Sequence, residues 1–304
     1  MAVLCFLSTG LIFYSNNSSC YAQKANDAIG TDISESNLYP ENSPLYFGNP
    51  SDAVFDIQSG DNFLMERPQF TLSYNNSKLI PNWVAWHLCT KDLGDSDRSN
   101  KFRADSDLPN EWYAVTKNDY KFTIYGFDRG HLCPSADRTA NAEDNSITFL
   151  MTNMVPQAPD NNRIVWVALE KYERELAAQG YELYIFAGPL GEGGTGDKGF
   201  FTSIPISSSA AGKSNPKISV PAFTWKIILA IPEGENDFER IDENTTVIAV
   251  CIPNENGCGK NKTWQDYICT VDYLEEVCGY NFFELLDDNI EDYLESKLWE
   301  NEND

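Results

Sequence analysis

The sequence predicts an α+β fold: a central, mostly antiparallel sheet flanked by helices. Two observations carry this. Strand-like runs occur both before and after the clearest helical segment, with no regular alternation of strand and helix. The 304 residues are 42% hydrophobic and 13% aromatic, enough for a substantial packed core. No internal repeat or composition break asks for a second domain. The expected organisation is a leader over 1–22, a polar extension over 23–65, and one domain over 66–304 that ends in an acidic segment.

Ala2 to Tyr14 is a short apolar stretch, and small residues lead to Ala22 before Gln23. That pattern reads as a secretory signal peptide, which places the chain outside the cytoplasm, secreted or periplasmic. No later segment reaches the ~18–20 apolar residues that span a bilayer, so no membrane association is expected after leader removal. Residues 23–65 read as a poorly structured lead-in lying along the domain.

Segment 70–89, "FTLSYNNSKLIPNWVAWHLC", reads as two strands around an Asn-Asn-Ser turn. In the second strand Trp83, Ala85 and His87 alternate with Val84, Trp86 and Leu88. Residues 91–121 form a long charged loop. Segment 146–157 begins as a strand and ends before Pro156. Segment 161–180 is the clearest helix, with Val165, Leu169, Tyr172 and Leu176 as its apolar stripe and Gly180 as its stop. Segments 181–188, 223–231 and 245–252 read as strands. Thr270 caps a helix that Gly279 ends. From Glu284 onward the chain carries nine acids and one Lys. Leu285, Ile290, Leu294 and Leu298 allow a last helix whose acids form a solvated face.

The formal net charge is −24. It argues against loose electrostatic adhesion to nucleic acid, which needs a net basic surface. It leaves room for a local cationic cleft with a bound cation. Of eight cysteines, Cys5 and Cys20 lie in the leader. The six that remain allow up to three disulfides in an exported chain, and none has the spacing of a zinc site.

Two stretches hold groups suited to chemistry. "FDRGHLCPSADRT" (127–139) sets His131 after Arg129 and Gly130; histidine exchanges protons near neutral pH, and glycine permits a tight backbone course. On the helix at 161–180, Asn162, Trp166, Glu170 and Arg174 recur every four residues and form a second stripe, distinct from the apolar one. His87, between tryptophans on its strand, reads as structural. The glycine-rich stretches at 188–199 and 257–263 lack the spacing of a phosphate-binding loop.

Together, "DRGH" (128–131) and "TNMVPQAPDNNRIVWVALE" (152–170) resemble the DNA/RNA non-specific endonuclease family, whose members are ββα-metal (His-Me finger) nucleases. "NWVAWH" (82–87) and "AGPL" (187–190) are similar to its flanking strands, and the resemblance covers roughly 66–283. It implies a ββα-metal active-site motif and a secreted, sugar-non-specific endonuclease acting on DNA and RNA. His131 is then the general base and Asn162, rather than its neighbour Asn161, the sole direct protein ligand of the metal. Glu170 orients metal-bound water, Asn153 shapes the site, and Arg174 faces phosphate, with Arg163 beside it on the substrate side. Arg129 supplies further positive charge. The upstream phosphate-contacting arginine is Arg98, with Arg103 as its rival. The implied cofactor is Mg²⁺, with Mn²⁺ as a possible substitute, and a dedicated inhibitor protein is a further partner of such an enzyme. Cys133 stands where the family often has a small residue. Two readings compete: a metal-dependent phosphodiesterase for small substrates, and a catalytically silent nucleic-acid-binding relative.

Overall fold

The computed structural model describes residues 38–206 and 216–300; the expected leader and residues 23–37 of the expected extension lie outside them. A seven-stranded antiparallel sheet dominates. Its members are β1 (Phe63–Glu66), β2 (Thr71–Asn75), β3 (Ile80–Leu88), β6 (Tyr181–Leu190), β11 (Phe223–Pro232), β12 (Thr246–Pro253) and β13 (Ile268–Cys269), hydrogen-bonded in that order. Off this sheet lie three two-stranded pieces: β4 (Asp128–His131) with β5 (Met154–Gln157), β7 (Gly194–Gly196) with β8 (Gly199–Phe201), and β9 (Ser203–Pro205) with β10 (Lys217–Ser219). The α-helices are α1 (Phe122–Tyr125), α2 (Ala142–Ile147), α3 (Val167–Ala178), α4 (Asp237–Arg240), α5 (Val271–Cys278) and α6 (Asp288–Ser296).

Alternation along the strands builds two cores, one on each face of the sheet. Val84, Trp86 and Leu88 of β3 point to one side with Ile228 of β11, Trp166 and Leu169. Trp83 and Ala85 point to the other with Trp225, Ile227 and Leu229. Because both faces are covered, every residue of β3 except Asn82 is buried.

Three expectations need correction. The packed fold starts before residue 66: Leu45 and Phe47 are 0% and 1% exposed and belong to the second core. Segment 146–157 does not open as a strand. Asn141 caps α2 by accepting from the Asp144 amide, the chain passes through a 3₁₀ turn at Met151–Asn153, and only Met154–Gln157 is extended. Asn141 followed by Glu143 and Asp144 in the first turn is the start signal that marks this helix. Finally, the six cysteines among the described residues are all free. Cys89, Cys133 and Cys258 lie in separate regions, at the end of β3, after β4 and in the loop before β13. The capped helix Val271–Cys278 stands as expected, with the Thr270 hydroxyl accepting from the Tyr273 amide and Gly279 at φ +71°. No described helix is long and apolar enough to cross a membrane.

Candidate active site

β4 and β5 pair antiparallel, with Gly130 opposite Val155 and His131 opposite Met154. The chain then enters a π-helical segment, Asn161–Trp166, that runs on into α3. This is a strand–strand–helix finger standing on one face of the main sheet through Trp166 and Leu169.

The glycine in the DRGH tetrad answers a packing demand. A Cβ on Gly130 would lie 2.0 Å from Gln157 Oε1 and 2.6 Å from its Cβ. With that space open, Gln157 folds across β4 and donates to Asn161 Oδ1 at 2.5 Å. Asn161 is 0% exposed, and its amide also donates to Thr224 Oγ1 (3.0 Å) and the Pro253 carbonyl (2.9 Å). Its amide is spent on holding the helix start against β11 and β12.

Asn162, half-buried, faces elsewhere. Its Nδ2 donates to Asp128 Oδ2 at 3.0 Å, which leaves Oδ1 as the free end. Asp128 is held in turn by Arg163, whose Nε and Nη2 donate at 2.8 and 2.6 Å. Arg163 is thus brought to the site's edge with two of its nitrogens committed to Asp128, and Asp128, not singled out in the sequence, is the residue that orients both Asn162 and Arg163.

His131 is 7% exposed and enclosed by two phenyl rings, with centroids 5.5 Å away for Phe102 and 4.9 Å for Phe149. Each ring carries a guanidinium on it: Arg129 lies 4.3 Å from the Phe102 centroid and Arg98 4.9 Å from that of Phe149. Burial, Arg98 and Arg129 push the His131 pKa down to about 3, so the ring is neutral at physiological pH. Its Nε2 is buried without a hydrogen-bond partner. Such an orphan in a core is costly, and at a site it is a group kept available.

Arg98 also donates to Ser135 Oγ at 2.5 Å and lies within electrostatic reach of Glu170. Arg103 does not join it: its guanidinium donates to the Ser146 carbonyl at 2.7 Å, near the end of α2. The geometry therefore separates the two upstream arginines. Glu170, half-buried on α3, is pushed up to about 7 by burial, with Asp137 adding and Lys226, Arg174 and Arg98 opposing. Arg174 is 20% exposed at its side chain and donates to buried Asp137 Oδ1 at 2.7 Å. Asn153 is 0% exposed. Its amide spans the Cys133 carbonyl (2.8 Å), the Thr148 carbonyl (2.9 Å) and the Cys133 N–H (3.0 Å), so it positions the turn after His131. Cys133 beside it is fully buried, and burial raises its thiol pKa far above the ordinary value.

The donor set fits a hard cation: one amide oxygen oriented by Asp128 and one carboxylate to which no group among the described residues donates a hydrogen bond. Asn162 and Glu170 are the residues that would hold it. A second cluster, His87, Cys89 and Asp92, lies at the end of β3 and includes none of the predicted site residues.

A strand–strand–helix finger that presents a neutral histidine, an oriented asparagine and a row of arginines defines a finger nuclease. Comparison with known proteins agrees. The family model for DNA/RNA non-specific endonuclease matches residues 50–289, and the chain belongs to that family. It is 46% identical over 254 residues to a nuclease of Nostoc sp., covering 84% of this chain and 85% of that one. It is 32% identical over 218 residues to the mitochondrial nuclease EXOG of Mus musculus, covering 71% of this chain and 55% of the relative. Among solved structures, EndoG in its complex with EndoGI matches with a TM-score of 0.62 at 21% identity, over 82% of this chain and 95% of that one. The fold is thus α+β with a finger nuclease architecture, and the chain is a nuclease.

Proposed function

We propose that the chain is a secreted or periplasmic endonuclease that hydrolyses phosphodiester bonds in both DNA and RNA with Mg²⁺, for which Mn²⁺ can substitute. The observation that carries the reading is the buried, unpartnered Nε2 of a neutral His131 beside two guanidinium groups. His131 takes the proton from the attacking water as general base. Asn162 would hold the cation as its one direct protein oxygen, and Glu170 would hold it through an intervening water. The cation, when bound, adds charge compensation on the scissile phosphate and its leaving oxygen. Arg98, Arg129 and Arg174 add positive charge around the phosphate, with Arg163 at the edge. Contacts made to phosphate rather than to base edges account for action on either nucleic acid with little sequence preference. EndoG is seen with an inhibitor protein, EndoGI, and a dedicated inhibitor is a fitting partner here too.

Supercoiled plasmid and a long RNA, each incubated with Mg²⁺ and with EDTA, test this. Cleavage is expected only with the metal. His131→Ala is expected to lose at least ~10²-fold in rate through loss of the general base, and Asn162→Ala to need far more metal. Parent-like turnover in either variant overturns the roles. Faster hydrolysis of bis(4-nitrophenyl) phosphate than of DNA favours the small-substrate phosphodiesterase. An N-terminus processed near Ala22 in the extracellular fraction checks the location.

A further inference from the structure

Nitrogen, sulfur and oxygen donors meet at the end of β3. His87 and Cys89 stand two residues apart on extended chain and so share a side. Asp92 ends the 3₁₀ turn Thr90–Asp92 that follows. A ring nitrogen of His87, the Cys89 sulfur and a carboxylate oxygen of Asp92 all lie within 4.8 Å of one another. Cys89 is 6% exposed and His87 9%. All three line a cleft of about 650 Å³, together with Glu182 and Glu233. The imidazole is fixed from behind: its Nε2 lies 3.1 Å from Glu182 Oε2. Glu182 also accepts from the Gly234 amide at 3.0 Å and from Arg240. A carboxylate supplied with such donors only accepts, so Nε2 carries the hydrogen and Nδ1 presents its lone pair. No group among the described residues donates a hydrogen bond to Nδ1. Asp92 is oriented as well. Its Oδ2 accepts from the Cys89 amide at 2.9 Å, and its Oδ1 stands 3.6 Å from Arg138 Nη1.

We propose that His87, Cys89 and Asp92 form a Zn²⁺ site, with water from the cleft as the fourth ligand, that clasps the end of β3 to the turn after it. Zn²⁺ takes imidazole nitrogen, thiolate sulfur and carboxylate oxygen alike. Mg²⁺ and Ca²⁺ take oxygen and leave sulfur aside, so this mixed set separates the site from that of the finger. Ligand atoms around one tetrahedral Zn²⁺ stand about 3.3–3.8 Å apart, from bonds of about 2.0–2.3 Å. Small rotations of Cys89 and Asp92 bring the present set to that spacing. Binding releases the thiol proton of Cys89 to solvent and forms the metal–sulfur bond. Glu182 then holds the outer nitrogen of the liganding imidazole, the arrangement that fixes the tautomer and orientation of a zinc-bound histidine. Cysteine spacing alone does not show such a site, because each ligand is of a different residue type.

Co²⁺, which substitutes for Zn²⁺ and is coloured, tests the site in the full chain, stripped with EDTA, dialysed free of it and kept reduced by a phosphine. Titration is expected to give a thiolate-to-Co²⁺ charge-transfer band in the near ultraviolet. Zn²⁺ bleaches it and a large excess of Mg²⁺ does not. The band persists in Asn162→Ala, which separates the site from the nuclease centre, and in Cys251→Ser, which separates it from the other thiols. It is lost in Cys89→Ser. Asp92→Asn keeps an acceptor for the Cys89 amide and so spares the turn, yet weakens Zn²⁺ binding by at least ~10-fold, no less than the loss of an outer partner does. Saturating Zn²⁺ raises Tm by about 5 °C, and this rise vanishes in Cys89→Ser. Absence of the band from the parent overturns the site, as does its survival in Cys89→Ser, its loss in Cys251→Ser or unchanged Zn²⁺ affinity in Asp92→Asn.

Discussion

An imidazole between two phenyl rings and two guanidinium groups titrates far from its ordinary range. His131 is neutral at pH 7 because burial and the charges of Arg98 and Arg129 all oppose its protonation. The His131 limb of kcat/KM is therefore expected below the usual histidine range, beneath the separate limb that Glu170 sets. Removing either arginine deletes a repelling charge, so the ring holds its proton more tightly and the limb moves to higher pH. Arg98→Ala and Arg129→Ala, compared with the parent across a pH–rate profile, check this; a limb that stays or moves down contradicts it. Folding carries the same sign. The unfolded histidine, near its ordinary value of about 6.5, binds a proton that the folded ring refuses. Stability is thus lost as pH falls below that value, and a urea titration at pH 7 and pH 5 reads it. His131, Asn162 and Glu170 stand out in the sequence as candidates because their identities are their chemistry. Phe102 and Phe149 were not, since two phenylalanines 47 positions apart announce no ring stack until the chain is folded.

The finger is a device for holding two side chains to one another's frame. Steps of four residues on a regular helix predicted a shared stripe for Asn162, Trp166, Glu170 and Arg174. The first six residues are instead a π-helical segment, which alters the phase of the stripe. Trp166 consequently lies in the core at 0% exposure while Asn162 stays at the surface of the finger. Helical periodicity cannot show such a change of winding, and the residues that anchor its start, Gln157 and Asn161, are tied to Thr224 and Pro253 on distant strands. The acidic last helix shows the same limit: its length and its Leu294 contact follow from periodicity, but the burial of Glu295 depends on what α5 presents. Two outcomes follow for the finger. Gly130→Ala drives a methyl group into Gln157 and costs about 1–3 kcal/mol as overpacking, measured by urea unfolding. Asp128→Ala frees both Asn162 and Arg163, and loses roughly 10–100-fold in metal affinity or activity, measured by titrating Mg²⁺ against initial rate.

Across the whole molecule, one buried ion pair fastens the finger to the sheet. Lys226 sits mid-strand in β11 and Glu173 on α3; both side chains are 0% exposed, with Nζ and Oε1 2.7 Å apart. The ammonium also lies 4.5 Å from the Trp166 ring centroid and 5.2 Å from that of Trp86. Burial raises the Glu173 pKa while Lys226 opposes the rise, and Lys226 is also the largest influence lowering that of Glu170 one turn away. The pair therefore does two things at once: it closes the finger on the sheet and places a positive charge beneath the carboxylate of the site. A protein of net charge −24 has few cations to commit to its interior, and this one is committed beneath the chemistry. Breaking the pair from one side leaves a charge without a counterion. Lys226→Met is expected to destabilise by about 3–5 kcal/mol, whereas Lys226→Met with Glu173→Leu, which removes both charges and keeps the volume, returns close to parent stability. The two electrostatic roles separate in the double variant. With Lys226 gone, Glu170 loses its strongest stabilising charge, so the double variant folds well yet reaches half-maximal rate at a higher pH than the parent. Urea unfolding paired with a pH–rate profile reads both quantities on the same sample. A well-folded double variant with an unmoved profile would show that the pair serves the fold alone.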